Sequence, residues 1–237
     1  MILMPTAAMV IGFALAIVIL NHYAAAPARR LHELVWGLSF LLFGAGAAFE
    51  LAADLWGWNE PLARLYYLSG AILAVALLGI GELVLLAPRW WRAILIVAAL
   101  FSLLTIVVVF LQPVDPSQFT SKTPWRATAP IGSLPAVLAG ISNGLGTLLI
   151  VGGALYSAWV FWRRRLQFHR MVGCVLLAVG TFVVAAGGTL AVALGDHAWL
   201  YPPMAIGVAI MFVGYWETTR SVTQPQPAVT QALAGQK

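Results

Sequence analysis

Long apolar runs separated by short polar gaps account for nearly the whole chain. They fall near residues 4–22, 33–56, 62–87, 92–112, 136–162, 171–194 and 199–219. Each run is close to the twenty or so residues that a helix needs to cross a hydrocarbon layer roughly 30 Å thick. The runs are continuous, whereas a strand of a membrane barrel alternates polar and apolar positions over about ten residues. The pattern predicts an all-α polytopic membrane protein with one domain, a seven-helix transmembrane bundle over 1–220. The tail, 221–237, carries Gln, Thr and Pro and is too short to bury a core, so it is expected to be disordered. Met1–Thr6 has no basic residue, and the apolar run continues from Ile11 to Leu20, so the first run reads as a retained helix and not as a cleaved signal.

Composition agrees with this class and charge adds direction. Of the 237 residues 62% are hydrophobic and 9% charged, with a mean hydropathy of +0.92, far from the usage of domains that fold in water. The basic residues collect in every second gap. Arg29, Arg30, Arg89, Arg92, Arg163, Arg164, Arg165, Arg170, Arg220 and Lys237 fall on one side, and Arg64, Lys122 and Arg126 on the other. The positive-inside rule then predicts an N-terminus outside, a C-terminus in the cytoplasm, and residence in an inner (plasma) membrane. The net charge of +5 is thus a topology signal, and nucleic-acid binding is not expected. Trp56, Trp58, Trp199 and Tyr201 are placed at the outer interface and Trp90, Trp91, Trp162 and Trp216 at the inner one, as belt anchors.

Little chain is left outside the runs. The longest link, 113–135, holds five prolines, faces outside, and reads either as a cap across the helix ends or as a flexible strap. Two stretches, Gly81–Arg92 and Gly153–Arg164, share a glycine, a leucine and an aromatic–Arg ending, which common interface chemistry explains without an internal repeat. Glycines are frequent inside the runs, including the pair Gly140 and Gly144, and packing within the bundle is the expected reason. The partners expected are the bilayer itself and either other membrane proteins or further copies of this chain.

The acids inside apolar runs are the informative residues, since a carboxylate in hydrocarbon is costly unless paired or neutral. Glu50 and Asp54 stand four apart on one helix face in the outer half of the second run. Arg64 opens the next run at a depth that reaches either of them, which predicts an ion pair locking the two helices. The functional alternative makes Glu50 the floor of an outward-facing polar cavity, with Asp54 and Arg64 at its mouth and Asn143 on its wall. Glu82 is separate, in the inner half of the third run, near where His22, His32, Glu33 and Arg29 are expected.

Other chemistry is weighed by which ligands the chain supplies. His22, His32, His169 and His197 lie at run ends or in links, which counts against haem buried between helices. No run contains a lysine, which removes the covalent attachment point of a retinal pigment, and no cofactor is predicted. Cys174 is the lone cysteine and is expected to serve packing. The chain lacks H-E-x-x-H spacing and a glycine loop ending in lysine. Three function classes are left: a binding or sensing module within a membrane assembly, a small proton- or cation-coupled carrier using Glu50 and Glu82, and an intramembrane enzyme acting on a lipid or polyene by carboxyl protonation.

Overall fold

The computed structural model describes residues 3–26, 30–115, 119, 132–163, 168–194 and 200–220. Among them there is no strand, and seven long helices follow one another: α1 (Leu3–Ala25), α2 (Leu31–Trp56), α3 (Glu60–Leu86), α4 (Trp91–Leu111), α5 (Ser133–Arg163), α6 (Phe168–Leu194) and α7 (Tyr201–Arg220). Six of these helical segments, Pro5–Ala25 through Phe168–Ala191, are long and apolar enough to cross a membrane. α7 falls short of that measure, because Pro202 and Pro203 open it and Glu217, Thr218, Thr219 and Arg220 close it. The architecture suits a helical membrane bundle. The tail and most of the 113–135 link, with Trp125, lie outside the described residues, as do Arg29, Arg164, Arg165, Lys122, Arg126, His197 and Trp199.

Close glycine contacts give the relative directions of the helices. Gly12 meets Gly44 while Gly37 meets Leu20, so α1 and α2 are antiparallel; Gly46 meets Gly70 while Gly81 meets Trp36, so α2 and α3 are too. Gly79 lies on Gly146 and Gly153 on Glu82, which makes α3 and α5 parallel. Gly173 against Gly214 and Gly180 against Gly207 pair α6 antiparallel with α7. A residue with no Cβ lets two backbones come this near, and in a bilayer close van der Waals packing is a main source of helix association. α1 also touches α7, so α1, α2, α3, α5, α6 and α7 form a closed ring. α4 stands outside it, packed mainly on its neighbours α3 and α5 among the described residues, with Ile96, Val97, Leu100, Leu103 and Leu104 exposed. So broad an apolar face is suited to hydrocarbon and ill suited to water.

One part of the glycine pattern departs from expectation. Gly140 and Gly144 have nothing within contact of an added Cβ and face outward, whereas Gly146 on the same helix is pressed on Val75. The inward face of α5 is set by Asn143, Gly146, Ile150, Gly153 and Ala154, a helical spacing that leaves Gly140 and Gly144 on the other side.

α3 is not one regular helix. After Glu60–Tyr66 it passes through a π-helical stretch, Tyr67–Leu73, before resuming over Ala74–Leu86, and the Ala74 N–H reaches back five residues to the Ser69 carbonyl. Such a stretch disturbs the usual carbonyl pairing, which neighbouring side chains can repair. Here Asn143 Nδ2 donates to the Ala71 carbonyl at 3.0 Å and Ser39 Oγ to Ala74 at 2.5 Å; further on, in the regular helix, Trp36 Nε1 donates to Leu78 at 3.2 Å. The start of α3 is built conventionally, from Gly57 at φ 87° and an Asn59 cap whose side chain accepts from the Leu62 N–H at 3.0 Å.

Candidate functional site

The ring of six helices encloses a small chamber beside Glu82. Its wall takes Leu15 and Ile19 from α1, Trp36 and Phe40 from α2, Leu78 and Glu82 from α3, Ile150 and Ala154 from α5, Leu177 from α6, and Met211 and Tyr215 from α7. The free volume, about 20 Å³, is enough for one water molecule. Gly153 admits the Glu82 carboxyl to this place, since a Cβ there would run into Glu82 Oε1 and Cδ. Gly81, next to it in sequence, admits the Trp36 indole. Glu82 is 5% exposed, and among the described residues no hydrogen bond or ion pair is made to it. Cys174 of α6 is within its electrostatic reach and is itself buried.

Beyond the chamber, at the end where α1 stops and α2 starts, a second polar group is assembled. Antiparallel packing brings Arg30, Arg89, Arg92, Arg163 and Arg170 to this same basic end. Glu33 is 3% exposed, and its Oε1 accepts from His22 Nδ1 at 3.0 Å and from the Arg30 guanidinium at 3.3 Å. Its Oε2 is buried with no partner among the described residues, and so is the hydroxyl of Tyr215. His22, which bonds Glu33, also meets the Tyr215 ring edge-on with centroids 6.4 Å apart. His32 stacks edge-on against Trp36 at 5.2 Å. Tyr215 therefore borders both regions, on the chamber wall and against His22.

At the opposite end the expected constellation is rearranged. Arg64 turns to Glu60 one turn earlier on its own helix, with Nε at 3.0 Å and Nη2 at 2.8 Å from Oε1. It also donates to the carbonyls of Val109 and Gln112 (the latter at 3.1 Å) and lies over the Phe110 ring. Its guanidinium thus caps the carbonyl end of α4, where the helix dipole is negative, and its ion pair is with Glu60 rather than with Asp54 or Glu50. Asp54 is exposed while Glu50 is 1% exposed, and both have interactions of their own. The Asn143 amide is held by the π-stretch of α3, where its Nδ2 donates to the Ala71 carbonyl. Val114 and Phe119, at the start of the long link, pack on the cluster of Ala63, Tyr66, Tyr67 and Ile72.

Of the residues singled out from sequence, Glu82 is the one placed at a chamber, and Glu50 is buried elsewhere. Two features were missed: the Glu33–His22–Arg30 group and the double border formed by Tyr215. Polar residues at helix ends, Glu33 and His22 among them, were the available signal, but a tyrosine near the end of an apolar run resembles a belt residue. His169 belongs to a further pair, with Nδ1 2.9 Å from Glu217 Oε2 across α6 and α7. Among the described residues no group of three His, Cys, Asp or Glu stands ready to hold a metal ion.

No known protein family, characterised protein or solved structure matches the chain. The functional argument therefore rests on the chamber and the two ends of the bundle.

Proposed function

We propose that this chain is a seven-span protein of the inner (plasma) membrane, N-terminus outside and C-terminus in the cytoplasm, and that it works as a proton-binding sensory module. The basic end is then the cytoplasmic one, by the same charge asymmetry that orients the chain. The site lies in the cytoplasmic half, at Glu82. The observation that carries the reading is a buried carboxyl with no hydrogen-bond or ion-pair partner among the described residues, set in an otherwise nearly apolar chamber of one-water size. A neutral carboxyl is tolerable there, while a carboxylate needs water or a cation brought to it. Gain or loss of one proton thus changes what the chamber must contain. All six ring helices touch that chamber, so their packing is the natural output, passed on to a partner in the membrane. No cofactor enters the proposal.

Difference infrared spectroscopy on the whole protein in nanodiscs tests it. A carbonyl band of a protonated, weakly bonded carboxylic acid is expected to titrate with pH and to vanish in Glu82→Gln. A band that persists in Glu82→Gln overturns the assignment.

A carrier reading is favoured by one observation, that Glu50 is as buried as Glu82 but near the other end. Trp36 stands level with Glu82 through its bond to Leu78 and its contact with Gly81. The rise of α2 from Trp36 to Glu50 is about 21 Å. Proton movement into liposomes that is abolished by both Glu50→Gln and Glu82→Gln selects the carrier; none selects the sensor.

A further inference from the structure

We infer that Glu33, His22 and Tyr215 form the proton entrance of the Glu82 chamber, a gate on its cytoplasmic side; this rests on the reading of Glu82 as the proton-binding group. The argument starts from two orphaned atoms. Glu33 Oε2 and the Tyr215 hydroxyl are both buried without a partner among the described residues, and a buried polar group left so is costly. Water is the partner with the right chemistry for both, because it can donate to a carboxylate and exchange either way with a phenol. Both residues meet His22, and Glu33 is within electrostatic reach of Tyr215.

The order of the first two groups follows from exposure, and that of the third from its place on the chamber wall. His22 is about a third open to the surroundings, while the Glu33 side chain is 4% exposed. Tyr215 comes next, and its ring is already part of the chamber that holds Glu82. The groups facing this path are His22 from α1, Arg30, Glu33 and His32 at the start of α2, and Tyr215 from α7, with Glu82 and Cys174 at the inner end. The net step takes one proton from cytoplasmic water to the Glu82 carboxylate. His22, Glu33 and Tyr215 each accept one proton and give one up, so their charges are the same before and after. Arg30 keeps the Glu33 carboxylate in place and offsets its charge between transfers. Histidine is suited to the outermost position because it exchanges protons near neutral pH on two distinct nitrogens.

The test follows the Glu82 carboxyl band after a pH jump, in the full chain reconstituted in nanodiscs. Tyr215→Phe removes one hydroxyl and His22→Ala one imidazole; each is expected to slow the rise of the band about a hundredfold, the scale of a lost proton-transfer group. Added imidazole is expected to restore His22→Ala, an outcome that a merely structural role for His22 does not produce. Tyr215→Phe is the safeguard against misfolding, since it keeps the ring and its packing. An unchanged rate in either variant overturns the gate and leaves the Glu82 assignment standing. A wild-type protein with no band assignable to Glu82 overturns both.

Discussion

Of the three buried acids among the described residues, Glu50 and Glu82 lie well inside their helices, and they are buried in different ways. Glu50 is 1% exposed in the half where Tyr66, Tyr67, Ile72 and Val109 pack tightly with Val114 and Phe119 against them, and it has a partner. Glu82 is 5% exposed in the half where the ring leaves a gap, and among the described residues no hydrogen bond or ion pair reaches it. Equal burial thus carries opposite consequences. A satisfied carboxyl specifies packing, whereas an unsatisfied one is held in place by its surroundings and is free to change state.

The strongest way to sharpen this contrast is to fill the space that Glu82 occupies. Gly153→Leu is expected to destabilise the bundle by roughly 3 kcal/mol or more, the upper range for overpacking, read as the shift of an unfolding midpoint in detergent. Glu82→Ala is expected to return much of that loss in the double variant, because the collision is with its carboxyl. Independent, additive effects would mean that the two residues do not meet.

Removing each acid in turn is the next test. Glu50→Leu is expected to cost about 1–3 kcal/mol, since the interaction that the buried carboxyl makes is lost. Glu82→Leu is expected to be neutral or to stabilise by roughly 1 kcal/mol, as no partner is lost and an apolar wall becomes continuous. The reverse ranking breaks the comparison. The repair of the π-stretch comes third: Asn143→Leu leaves the Ala71 carbonyl without its donor and is expected to cost about 1–2 kcal/mol, within the range for an orphaned buried group. The smallest effect belongs to α5. Gly144→Ala is expected to stay within about 0.5 kcal/mol, as an open surface position does, whereas Gly146→Ala pushes a methyl into Val75 and costs roughly 1–3 kcal/mol.

The helices were legible in the sequence because hydropathy over a window reports length and class directly. Glu82 stood out for a related reason, a charge in an otherwise apolar run. Its chamber could not be foreseen, since Gly153 is far away in sequence and one glycine among twenty-two carries no mark of what it faces. Arg64 shows the limit of reasoning from depth. Rise per residue places it level with the acids of α2, but azimuth decides which neighbour it meets, and it turns to Glu60 and α4. Gly140 and Gly144 teach the same lesson on α5, where spacing alone did not say which way the pair looks.

The π-stretch of α3 can also be viewed as a phase shift. A run with one extra residue in a turn sets everything after it about 100° behind a regular helix. Tyr66 and Ala63 sit before that offset, in the tight half, and Glu82 sits after it. If α3 were wound evenly from end to end while its first turns kept their contacts, Glu82 would swing off Gly153 toward a neighbouring helix or the lipid. The seven residues 67–73 thus set the azimuth at which α3 presents Glu82 to its chamber.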